Sequence, residues 1–211
     1  MSLDKVAYRI KQRCPGLFKV IEFSAGYFVY FLNRRSIRRA LTHATIHGEI
    51  HKQPAQIRPL RIDDLDQLLS FFATLPESHF TYFRPHGFSR SDIIKVLTRP
   101  YYLKYGLFVN DILIGYCLTK LYPGKVGFIG RIISTDYAGF GLGKFFSKYL
   151  QWQCYLLRFK MRSTISSNNL PSLGSHKSAG GFTFLASLPN GYTLIEFPRE
   201  NMPKQPPALS I

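Results

Sequence analysis

The sequence predicts an α/β protein of the α+β type, strands and helices in one domain preceded by an N-terminal extension. Three observations carry that expectation. Runs of β-branched and aromatic residues bounded by turn residues recur along the chain, with Tyr105–Val109 and Ile112–Leu118 joined by Asn110-Asp111 as the clearest hairpin. Segments opening at Asp63, Ser89 and Leu142 carry helix signals instead, apolar spacing or a capping cluster. The strand Val126–Ile133 runs through a glycine-rich turn directly into the last of these helices. A chain of 211 residues with 45% hydrophobic content is long enough to bury a substantial core.

The elements follow in order. Residues 1–55 stand apart as a basic, aromatic extension, in which the dense block Val20–Leu32 is followed by Arg34, Arg35, Arg38 and Arg39. Such a block suits peripheral contact through 20–39 with an anionic membrane, each basic residue contributing about 1 kcal/mol near the headgroups. Packing against the domain or a second subunit would give the same composition. The domain proper is expected over 56–198. It begins with a short strand, Gln56–Leu60, and a helix opened by Asp63 and Asp64, whose face is marked by Leu65, Leu68, Leu69, Phe72 and Leu75. Ser89-Arg90-Ser91-Asp92 caps a second helix, and the hairpin follows. After Val126–Ile133 and its turn, Leu142, Phe145, Phe146, Tyr149 and Leu150 define a buried helix face. Lys160–Ile165 reads as a strand, and Phe182–Leu188 and Tyr192–Phe197 as a pair joined by Pro189-Asn190-Gly191. Residues 199–211, polar and proline-rich, are expected to form a flexible tail.

The turn Ala138-Gly139-Phe140-Gly141-Leu142-Gly143 carries the chemistry. Glycines at alternate positions let the backbone turn sharply and aim several N–H groups at one point, where the following helix dipole also favours an anion. A pyrophosphate fits. A dinucleotide fingerprint would need an acidic residue about 20 positions on, and a P-loop would need Gly-Lys-Ser/Thr; neither is present. Coenzyme A remains.

At this point the chain resembles the GNAT acyltransferase superfamily, whose signature Arg/Gln-x-x-Gly-x-Gly/Ala reads here Ala138-x-x-Gly141-x-Gly143. Ala138 replaces the usual Arg or Gln, and Lys144 stands in as the nearby cation. Downstream, Asn169-x-x-Ser172-x-x-x-His176-x-x-x-Gly180 follows the family's pattern after a strand, with Gly180-Gly181-Phe182 one glycine longer than usual. The resemblance covers roughly residues 56–198. It implies the GNAT fold, a mixed, mostly antiparallel, twisted sheet flanked by helices, and an N-acetyltransferase using acetyl-CoA as co-substrate. The cofactor-binding set it implies is Ile133, Ser134, Ala138, Gly139, Phe140, Gly141, Leu142, Gly143, Lys144, Asn169 and Ser172. The leaving-group acid, usually a Tyr seven residues after the Asn, falls on His176 counted from Asn169 and on Ser175 counted from Asn168. For the general base the segment Glu77–Phe88 offers His79 and His86, with His86 preferred because Pro85 and Gly87 hold it in a turn. Arg131 is a candidate grip on an anionic acceptor, and Tyr82 and Phe83 a candidate stacking surface for it.

The charge narrows the acceptor. With 28 basic against 12 acidic residues the chain carries +16. No nucleic-acid-binding motif appears, so nucleic acid is the weaker reading of this field. It would draw in a small anionic amine, a nucleotide-linked amino sugar first, and repel a polyamine. Cys14, Cys117 and Cys154 are odd in number and lack ligand spacing, which opposes both a disulfide framework and a metal site. Without a signal peptide or a spanning run, the expectation is a cytoplasmic protein with optional membrane association. Two other readings stay open: a non-catalytic acyl-CoA-binding domain, and a basic nucleic-acid-binding protein sharing the fold.

Overall fold

A computed structural model describes residues 15–188 and 191–211; Cys14 and the turn residues Pro189 and Asn190 lie outside them. The chain opens with helix α1 (Pro15–Thr42), then the hairpin β1 (Ile46–Ile50) and β2 (Gln53–Pro59). Helices α2 (Leu65–Thr74) and α3 (Arg90–Thr98) follow, then β3 (Tyr102–Val109), β4 (Ile112–Tyr122) and β5 (Val126–Ile133). The last part is α4 (Leu142–Leu157), β6 (Lys160–Ser166), α5 (Leu170–Ser178), β7 (Thr183–Ser187) and β8 (Tyr192–Phe197). The eight strands form one sheet in the order β1-β2-β3-β4-β5-β6-β8-β7, antiparallel throughout except for β5 against β6.

Local chemistry explains most boundaries. Asn110 and Asp111 adopt left-handed conformations, φ 47° and 61°, which a two-residue hairpin needs, and β3 and β4 pair around them. Asp64 opens the turn before α2 by accepting from the Arg61 amide at 2.7 Å and from both terminal nitrogens of Arg58 at 2.9 and 2.7 Å. Burial alone would raise this carboxyl, but those donors hold it below the ordinary carboxylate range. Ser89 caps α3 by accepting from the Asp92 amide. The core fills both faces of the sheet. On one, Tyr149 of α4 meets Tyr105 of β3 edge-on; on the other, Phe72 of α2 meets Tyr116 of β4.

Two expectations are corrected at the chain ends. The boundary at residue 55 cuts through a strand: β1 and the first half of β2 belong to the sheet, because Ala55 to Pro59 register against Val109 to Tyr105. The strand expected over Gln56–Leu60 begins at Gln53, and its partner β1 carries no turn signal because His51-Lys52 lacks turn residues although both adopt positive φ. Helix α1 packs through Val29, Ile37 and Ala40, with Gly26 letting the Tyr101 ring come close. A partly buried ion pair, Lys120 Nζ to Glu22 at 2.6 Å, ties its first half to β4. At the other end the expected flexible tail is docked. The Glu49 and His51 amides donate to Leu209 and Ile211 carbonyls at 2.9 and 2.7 Å, and Ile211 donates back to Glu49 at 3.1 Å. The open edge of β1 supplies those unpaired groups, and Leu209 and Met202 are buried.

Candidate active site

Strands β5 and β6 pair over only three positions, Val126 to Phe128 against Lys160 to Arg162. Beyond them the strands part, while β5 stays fully paired with β4 through Ile133. The outer edge of Ile129 to Ile133 therefore faces open space and not a neighbouring strand. The opening is a cleft of about 960 Å³, walled by β5, β6, the 138–144 turn, the start of α5 and the segment Ser78 to Pro85.

The glycine turn forms one end of it. Gly139 and Gly141 have φ of 85° and 81°, and a Cβ at either would meet nothing within 4 Å, so conformation and not crowding requires glycine there. Gly143 differs: its Cβ would lie 3.2 Å from that of Ser175, so this glycine lets α4 and α5 approach. Ala138 donates to Thr135, and Lys144 and Phe145 donate to Gly141. The amides between them have no backbone acceptor among the described residues, and they sit at the positive end of a 16-residue helix.

Of the cofactor-binding candidates, Ile133, Ala138, Gly139, Gly141, Gly143, Lys144, Asn169 and Ser172 line the cleft. Ser134 does not; its amide donates to the Ile114 carbonyl at 2.8 Å. Leu142 turns into the core, and the Phe140 ring packs edge-on against His51 at 4.3 Å, a contact across to the β1–β2 turn that no local pattern signals. Asn169 caps α5 by accepting from the Ser172 amide.

Arg131 gathers the site. Its guanidinium donates to the Gly143 carbonyl, Ser147, Ser172 and Ser175, and, at 3.2 Å, to His176 Nε2. All these acceptors are neutral, and burial pulls its pKa down to about 10. It remains charged at neutral pH with no carboxylate partner among the described residues. The same contacts settle the tautomer of His176. Arg131 can only donate, so Nε2 accepts, and Nδ1 carries the proton toward Ser147 Oγ at 3.2 Å. Burial, assisted by the Arg131 charge, lowers the His176 pKa to about 2. A neutral ring with both nitrogens engaged has no proton for a leaving group. The sequence-based roles of His176 as acid and of Arg131 as a grip on the acceptor are revised accordingly: both brace α4 against α5. Ser175, on the cleft wall, keeps a hydroxyl that donates to the Ser172 carbonyl at 3.0 Å.

His86 is likewise displaced. It lies among Phe72, Phe88 and Tyr116, with Nδ1 at 2.7 Å from the Gly87 carbonyl and Nε2 at 3.0 Å from the Tyr116 hydroxyl. Burial lowers its pKa. The residue that does face the cleft is His79, from the same segment, along with Tyr82, Phe83 and Arg84. Phe83 is buried and Tyr82 exposed. Among the described residues no Asp or Glu lines the cleft; its charged residues are Arg84, Arg131 and Lys144. Cys117 and Cys154 are buried thiols, and burial pushes Cys154 up to about 12, which leaves it unreactive. Among the described residues no cluster of His, Cys, Asp and Glu is arranged to hold a metal.

No protein-family model matches the sequence, and a search of curated proteins finds no match. Solved structures do match. The GNAT domain of S. lividans PAT superposes with TM-score 0.65 at 13% identity, over 74% of this chain and 97% of that one. Mycobacterium smegmatis RimJ in complex with CoA-disulfide gives 0.59 at 14% identity, over 76% and 89%. The aminoglycoside acetyltransferase AAC(6')-Ib in complex with coenzyme A and kanamycin gives 0.56 at 17% identity, over 70% and 96%. With the parted strands and the glycine turn in the same chain order as the motifs, the likeness settles the architecture: this chain has the GNAT fold.

Proposed function

We propose that the protein transfers the acetyl group of acetyl-CoA to a small amine that carries negative charge, with a nucleotide-linked amino sugar as the first acceptor to test. One observation carries the reading: the cleft joins a turn of uncommitted amides at a helix N-terminus to walls that, among the described residues, bear three cations and no carboxylate. The residues present fit the co-substrate. Backbone donors at Gly139 to Gly143 and the Lys144 ammonium suit a pyrophosphate, and nothing acidic opposes it. The exposed edge of β5 supplies peptide groups for an extended thioester arm. Its amides are also placed to polarise a carbonyl.

The chain's own residues then divide the proton work. An amine acceptor must arrive deprotonated, and His79 is the cleft imidazole not already committed to Arg131. Negative charge developing on a departing thiolate is balanced by Arg131 and Ser175, without a proton from His176. Buried thiols at Cys117 and Cys154 suit a reducing cytoplasm. The lack of a carboxylate base also favours one second reading, a domain that binds acyl-CoA without turnover.

The test has two arms. Acetyl-CoA should raise the melting temperature, and Gly141→Asp should abolish that rise by setting a carboxylate against the phosphates. At saturating acetyl-CoA, a phosphate-bearing amino sugar should outcompete its neutral analogue, with kcat/KM falling as salt rises. Unchanged melting overturns the co-substrate, equal rates or better turnover of a polyamine overturns the anionic acceptor, and binding without any turnover favours the second reading.

A further inference from the structure

Helix α1 has two faces, and only one of them is used by the fold. Gly26, Val29, Ile37 and Ala40 face inward. Positions 20, 21, 24, 28, 31, 32, 35, 38 and 39 are all exposed, and their spacing places them on a single stripe. The first part of that stripe is apolar: Phe28, Phe31 and Leu32 are 62%, 66% and 69% exposed, with Val20 and Ile21 continuing it toward the N-terminus. The second part is cationic, with Arg35, Arg38 and Arg39. None of these arginines has a carboxylate partner among the described residues.

We propose that this outer face of α1 docks on an anionic lipid surface, lying in the plane of the interface. The 28 residues of the helix extend about 42 Å. No helix among the described residues is long and apolar enough to cross a membrane, so the geometry is that of a surface helix. Its apolar half would enter the headgroup boundary while the arginines meet lipid phosphates. Charge complementarity selects lipid over a second copy of the chain. Pairing two copies of the stripe sets guanidinium against guanidinium or against Phe and Leu, and the only acid on α1, Glu22, is already held by Lys120. An anionic bilayer supplies the missing counter-charge and the apolar phase together. This inference does not depend on the acetyl-transfer reading.

The experiment is co-sedimentation of the full chain with phosphatidylcholine vesicles, with and without phosphatidylglycerol, alongside sedimentation velocity without lipid. Binding is expected on the anionic vesicles and should weaken between about 0.1 M and about 0.5 M salt. Arg35→Gln/Arg38→Gln/Arg39→Gln should weaken it on the order of a hundredfold. Phe28→Ser/Phe31→Ser/Leu32→Ser should weaken it roughly tenfold or more. Both variants replace only outward side chains, so their melting temperatures should stay near that of the parent. No binding to anionic vesicles at low salt overturns the proposal. Equal binding by parent and variants does so too, as does a parent dimer that either variant dissociates.

Discussion

Replacing His176 by Gln isolates a single buried imidazole that folding keeps neutral. In the unfolded chain a histidine titrates near 6.5, whereas burial and the Arg131 charge bring His176 to about 2 in the folded protein. Between those values the unfolded chain takes up a proton that the folded chain refuses, so the contribution to stability falls as pH falls. The slope is about 1.4 kcal/mol per pH unit, which integrates to about 2 kcal/mol between pH 7 and pH 5. Gln keeps an amide that can accept from Arg131 and does not titrate. Urea unfolding of parent and variant at both pH values gives the quantity wanted: the difference between their acid-induced losses. Packing costs common to both pH values cancel, as do the contributions of His86 and the other histidines. The variant should lose about 2 kcal/mol less than the parent over this range. Equal losses would mean that His176 is not held neutral by Arg131 and burial. They would return it to candidacy as a proton donor.

Glu22→Gln leaves the Lys120 ammonium, only 12% exposed, without its counter-charge, and should cost about 1–2 kcal/mol in urea unfolding, between the exposed-pair and buried-pair limits. A much smaller loss would show that α1 does not depend on this pair. Gly48→Val places a Cβ 1.8 Å from the Leu209 carbonyl oxygen, so the C-terminal segment should detach. Loss of hydrogen-exchange protection at the Glu49 and His51 amides, with the rest of the sheet unchanged, is the expected result. Gly139→Ala meets no atom but holds an L residue at φ 85°, which should cost about 1 kcal/mol in thermal stability. His79→Ala should lower kcat by roughly 10²-fold or more with acetyl-CoA binding intact, and His86→Ala should instead lower the melting temperature. The reverse pattern would restore His86 as the base.

The sequence by itself determined whatever depends on neighbouring residues. Alternation and turn chemistry placed the β3–β4 hairpin at Asn110-Asp111, the apolar period placed the buried face of α4, and alternating glycines marked the turn between β5 and that helix. Those signals are short-range, because backbone conformation and one-sided burial leave their period in the residues that adopt them. Helix α1 left no such period, since the first part of its outer face is as apolar as its inner one and its arginines gather at the other end. Tertiary structure decided the rest. His79 and His86 stand seven residues apart in one segment, and the Pro85 and Gly87 that favour His86 do not record where its ring points; only packing against Phe72 and Tyr116 turns it away from the cleft. Arg131, Ser147 and His176 come from β5, α4 and α5, and their common hydrogen-bonded cluster exists only because the strands part and Gly143 admits Ser175. The C-terminal residues are polar and proline-rich, yet they dock, because the open edge of β1 presents amides and a carbonyl that nothing else among the described residues satisfies. A proton's availability or a segment's docking depends on partners remote in sequence, and no periodicity along the chain records them.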